Sequence, residues 1–189
     1  MITFIGLLSL ARMRPVIDMA SCPLVPEIDA IIDSGKSSPG KIPSDVIRSV
    51  EGWYSGIEVI DDDVKPLYFQ VTAVHVALTV ASEVLSPRER EWRVNADIKN
   101  FWKSCDSLLH AGGGFTSPVY SGIKTTMEGV EDVWIEQDVK SFKNPRSDVV
   151  VEFGHRLAAI RSNYPKRVRI ARLIAKCAGW PIPPHLAAE

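Results

Sequence analysis

The longest run of apolar positions in this chain lies between Pro66 and Leu85, PLYFQVTAVHVALTVASEVL. At about 100° per residue it sets Thr72, His75, Thr79 and Ser82 in one line and leaves nearly every other direction apolar. Val74 to Val80 also alternate at a period of two, which would suit a strand. Length decides for a helix, because a strand usually holds about 5–6 residues. A helix dry over so wide an arc needs neighbours around most of it, so the pattern predicts the central rod of a bundle. Pro66 suits a first helical turn, where its missing N–H costs nothing. Asp61-Asp62-Asp63 precede it, where carboxylates favour a helix N-terminus.

The same cap-then-proline grammar recurs down the chain. Ser44 opens a helix through about Ile57, with Val46, Ile47, Val50, Trp53, Tyr54 and Ile57 turned inward. Ser86-Pro87 opens another, whose dry side holds Trp92, Ile98, Phe101, Trp102, Cys105, Leu108 and Leu109 before Gly112-Gly113-Gly114. Ser117-Pro118 begins one that reaches Phe142 through Met127, Val130 and Trp134. Asn144-Pro145 begins the next, with Val149, Phe153, Leu157 and Ile160 inward, and Tyr164-Pro165 begins the last, ending at Gly179. The pattern predicts an all-α, single-domain helical bundle of about six helices over residues 44–189. Residues 1–43 carry Pro15, Pro23, Pro26, Gly35, Pro39, Gly40 and Pro43 and read as a loop-rich N-terminal segment. Within it Glu27 to Asp33 has a helical look. Met1 to Leu10 is apolar but too short to span a bilayer, and is expected to pack on the bundle as a strand or helix.

Composition narrows the classes. At 189 residues and 46% hydrophobic the chain can build an ordinary core without a disulfide or a metal. A net charge of −1 argues against a surface that is cationic throughout. Cys22, Cys105 and Cys177 are widely spaced and odd in number, which predicts reduced, buried thiols and a cytoplasmic location.

Charge is nonetheless segregated. From Phe153 to Ala188 stand Arg156, Arg161, Lys166, Arg167, Arg169, Arg172 and Lys176 without one acid. Lys166, Arg169, Arg172 and Lys176 share a helical face opposite Ala171, Ile174, Ala175 and Ala178. Such stripes bind phosphate backbones or acidic protein surfaces. Glu27 to Asp63 is acidic in turn, so the two ends can neutralise each other by folding or join copies head to tail. On the predicted rod, uncharged Thr72, His75, Thr79 and Ser82 are unusual for a solvent face, which gathers Lys and Glu. They fit a ligand groove or a seam with a partner helix.

Other chemical signatures are weak. Glu152 and His155 stand three apart, as in di-iron bundles, but those sites need a second such pair and two more glutamates. The histidines show no zinc spacing with the cysteines. Gly112-Gly113-Gly114 with Lys124-Thr125 is not a phosphate loop, since Ile123 displaces the glycine required before the lysine. No metal or cofactor is expected. The sequence therefore predicts a non-catalytic interaction protein, an inhibitor or antitoxin-like partner or an assembly subunit, meeting a protein or its own copies. Trp53, Tyr54 and Trp180 are candidate interface aromatics. Nucleic-acid binding or packaging through the basic C-terminal helix is one alternative. A helical-bundle enzyme or small-ligand binder using the His75 stripe is another.

Overall fold

The computed structural model describes residues 2–37, 42–57, 65–117, 126–143 and 148–187. Its helices are α1 (Ile2–Met19), α2 (Val25–Ser34), α3 (Ser44–Ser55), α4 (Pro66–Ala81), α5 (Pro87–Ala111), α6 (Met127–Phe142), α7 (Val149–Ser162), α8 (Tyr164–Ala178) and the short α9 (Pro184–Ala187). A 3-10 turn, Gly114–Thr116, follows α5. No strand occurs among the described residues, and the fold is all-α.

Two apolar rods cross the core. The expected one, α4, buries Phe69, Ala73, Val74, Val76, Ala77 and Val80 against α1 and α5. It stops at Ala81, four residues earlier than the apolar run, because Ser82 turns extended and its Oγ accepts the Leu85 N–H at 3.2 Å. The more enclosed rod is α1, in the segment that reads as loop-rich. It packs on α2, α4, α5, α6, α7 and α8, and every residue from Phe4 to Met13 is buried. The described residues of this segment thus hold two helices whose side chains join the same core as the rest. Pro15 lies inside α1, so a turn signal in the sequence became a helix-interior residue. Tight packing overrides that local cost, since neighbours enclose the helix on all sides. Gly6 makes the closest approach possible: a Cβ there would stand 2.5 Å from Val80 Cγ2.

The helix ends follow their sequence. Ser86 and Glu89 form a reciprocal capping box on α5. Asp148 caps α7 by accepting from Val150 and Val151. Gly179 adopts φ 70° after α8, letting the Trp180 N–H reach the Ala175 carbonyl at 2.8 Å. That turn tucks Trp180 edge-on to Phe69, with ring centroids 5.0 Å apart. Trp180 is therefore a core residue and not a surface aromatic. Trp92 makes the opposite error: expected on the dry side of α5, it is 71% exposed. The expected helix start at Ser117-Pro118, the one at Asn144-Pro145 and the Asp61-Asp62-Asp63 cap all fall wholly or partly outside the described residues. The observed starts are Met127 and Val149, and Lys65 precedes α4 in extended conformation.

Candidate functional site

Helices α3, α4 and α5 and the turn after α4 enclose a groove of about 470 Å3. Ile47 and Glu51 come from α3, His75, Leu78, Thr79 and Ala81 from α4, and Arg93 from α5. Ser82, Glu83, Val84 and Leu85 of the turn line it as well. Helical spacing puts His75, Thr79 and Ser82 on this wall together, as the stripe implies. Thr72, the fourth member, does not line the groove; it is buried and donates to the Tyr68 carbonyl at 2.8 Å.

His75 is the chemically distinctive wall residue. Its Nδ1 lies 2.7 Å from Asp97 Oδ2. An ionised carboxylate only accepts, so Nδ1 carries the proton and Nε2 is left for an incoming group. The hydrogen bond it donates to Asp97 raises the imidazole's affinity for a proton above its ordinary value, against the opposing effects of burial and of the Arg93 charge. The Tyr54 ring of α3 stacks on the imidazole at 6.0 Å between centroids, 14° from parallel. The His75 side chain still keeps 33% of its surface open. Asp97, Glu51 and Arg93 were not legible as site residues, although Arg93 and Asp97 stand four apart on one flank of α5.

The basic stretch is spread over several environments. Arg161 pairs with Asp33 at 2.8 Å, and His185 Nε2 lies 3.2 Å from Asp18 Oδ1. The acidic and basic ends of the chain thus meet within one molecule. Arg156 donates from Nε to Asp138 Oδ1 at 2.7 Å. Arg167 lies over the Trp134 ring, 5.2 Å from its centroid. Burial depresses its proton affinity, with the neighbouring Arg12 charge adding and Glu131 opposing, to a pKa of about 10. Arg172 Nε donates to the Leu186 carbonyl at 2.6 Å. Lys166, Arg169 and Lys176 are exposed on α8, and Arg169 has a further interaction of its own.

Beneath this stretch lies a buried ionic cluster that the sequence did not announce. Arg12 of α1 is 1% exposed. Its Nε donates to both Glu131 oxygens at 2.8 and 2.9 Å, one terminal nitrogen to Asp138 at 2.9 Å, the other to Ser9 Oγ at 3.0 Å. Burial opposes its charge, but Glu131 and Asp138 together more than offset that and raise its affinity for the proton. Glu131 and Asp138, seven apart on α6, therefore face the core.

Among the described residues no three His, Cys, Asp or Glu side chains gather as a metal-ligand set. Cys22, Cys105 and Cys177 are free thiols. No helix of the described residues is long and apolar enough to cross a membrane. Comparison with protein-family models, curated proteins and solved structures found no match. The groove's chemistry must speak for itself.

Proposed function

We propose that this protein is a non-catalytic binding protein whose recognition site is the groove around His75. One observation carries the reading: a histidine oriented by a carboxylate at 2.7 Å opens onto a groove with apolar walls. Small-ligand sites have this make-up, an apolar lining with a few placed polar groups and a volume of about 300–1,000 Å3. The hydroxyls on the same helix face support binding over nucleophilic chemistry. Thr72 is engaged with its own backbone, and Ser82 holds the turn at Leu85. The aniline–naphthalene sulfonate dye ANS is a suitable first probe. The wild-type protein should raise its fluorescence, and Ala81→Trp, which fills the groove from its wall, should weaken uptake at least tenfold while circular dichroism stays unchanged. Equal uptake by both proteins, or none by the wild type, would overturn the reading.

A second reading keeps the basic helix as a contact for an acidic macromolecule. The exposure of Lys166, Arg169 and Lys176 along α8 favours it. Binding of a DNA or RNA duplex or of an acidic peptide should then fall steeply with salt. Absence of any complex at low ionic strength would remove this reading.

A further inference from the structure

We infer that the groove takes a small zwitterion with an apolar body, of the class of a short apolar peptide with free termini. Its carboxylate would lie between His75 and Arg93 and its ammonium against Glu51 and Glu83. The inference rests on the groove being the recognition site.

The groove is lined by charge of both signs. Two cation-forming groups, His75 of α4 and Arg93 of α5, share it with two acids, Glu51 of α3 and Glu83 of the turn. Ile47, Leu78 and Leu85 line the same groove, so apolar surface and charge of both signs share it. A ligand with only a carboxylate, such as a fatty acid, would lay its tail beside Glu51 and Glu83 and desolvate them without return. A simple amine would do the same to Arg93. A zwitterion answers both signs at once and leaves its apolar body to the leucines and isoleucine.

The two cationic groups are also mutually uncomfortable. The charge of Arg93 weighs against protonation of His75, although Asp97 favours it. A carboxylate set between them removes that opposition, so the ring can take a second proton on Nε2, the nitrogen that Asp97 leaves unused, and donate it to the ligand carboxylate. Charge-assisted hydrogen bonds of this kind are the stronger ones. The groove is also small. About 470 Å3 fits a dipeptide or a little more, and not a folded partner.

The test uses the full-length protein and four probes: leucyl-leucine, its N-acetyl form, its C-terminal amide, and free leucine. Binding is followed by calorimetry and by the His75 Hε1 resonance. Leucyl-leucine should bind and shift that resonance, and each blocked form should bind at least tenfold more weakly. Arg93→Ala should weaken leucyl-leucine and leave the amide's affinity unchanged. Glu51→Gln should weaken leucyl-leucine and leave the N-acetyl form unchanged. Both positions are exposed, so the variants should fold. Leucine binding as tightly as the dipeptide would assign the site to amino acids and still support the zwitterion class. If the blocked forms bind as well as leucyl-leucine, the zwitterion inference is wrong and the groove remains a site. If no probe moves His75 while Ala81→Trp still blocks ANS, the inference alone falls. If ANS uptake also ignores Ala81→Trp, the groove reading falls with it.

Discussion

Replacing Arg12 by alanine should cost this protein about 3 kcal/mol, the lower end of the range for breaking a buried ion pair. The geometry sets the choice of end. Arg12 bonds Glu131, Asp138 and Ser9, all with little or no exposure. Without Arg12, Asp138 keeps Arg156 at 2.7 Å, so only Glu131 loses its closest cation. Ser9 still donates to Glu131 at 2.8 Å, which moderates the loss. Part of the cost is also packing, because the arginine stem fills space among α1, α6 and α8. Against a typical domain stability of about 5–15 kcal/mol, such a loss is large and easily read by urea denaturation. A second variant separates stranded charge from lost contact. Arg12→Met combined with Glu131→Leu removes both ions and should recover at least half of the loss, since apolar replacement of buried pairs is often neutral. A single variant within about 1 kcal/mol of wild type, or a double variant worse than the single one, would refute the reasoning.

Four further variants test particular contacts. Asp106 of α5 accepts the N–H groups of Met127 and Glu128 at 2.7 and 3.0 Å and so holds the start of α6. Asp106→Ala should cost about 1–2 kcal/mol by thermal or urea melting, and an unchanged midpoint would contradict it. Gly112→Ala should destabilise by about 1–3 kcal/mol, because its Cβ would stand 2.4 Å from Cys177 Cβ, whereas Gly52→Ala, with nothing within 4 Å, should stabilise α3 by about 0.5–1 kcal/mol. The His75–Asp97 pair should stabilise the fold in acid. The folded histidine binds its proton more tightly than the free side chain, so its contribution is present below about pH 6.5 and fades as pH rises through the folded value. The urea midpoint of Asp97→Asn should therefore lie further below wild type at pH 5.5 than at pH 8.5, and the reverse order would exclude the pairing.

What the sequence disclosed was mostly what periodicity and capping can encode. The inward faces of α7 and α8 read correctly through Phe153, Leu157, Ile160, Ala171, Ile174 and Ala175. His75 and Thr79 were placed on one wall by helical spacing, and Ser82 follows them at the first residue of the turn. What stayed hidden depends on pairing across long sequence separations. Arg12 and Glu131 are 119 residues apart, and nothing local marks either as buried. A charged residue reads as outward until its counter-ion is known, and the apolar periodicity of α6 singled out neither Glu131 nor Asp138. Pro15 misled for a related reason. It is punctuation in an exposed segment and a tolerated irregularity in a helix enclosed by six others. Asp97 is the same problem at the groove, since it sits 22 residues from the histidine it orients.

The two polar systems differ in how far they are closed, and that difference assigns their roles. In the cluster under α8, all three guanidinium nitrogens of Arg12 have partners, and Trp134 lies near both Arg12 and Arg167, with guanidinium carbons 5.9 and 5.2 Å from its ring centroid. With every nitrogen engaged, Arg12 fixes α1 to α6 and keeps no donor for a guest. At the groove the accounting is incomplete. Asp97 engages one ring nitrogen of His75, Tyr54 covers one face, and Nε2 remains, with a third of the side chain open. The core supports this asymmetry because α4 is anchored chiefly by the side chains it buries against α1 and α5. A helix anchored on those sides can hold an unsaturated polar edge toward solvent at little cost to the fold. Recognition is therefore expected at the edge of α4, while the arginine cluster holds α1 to α6.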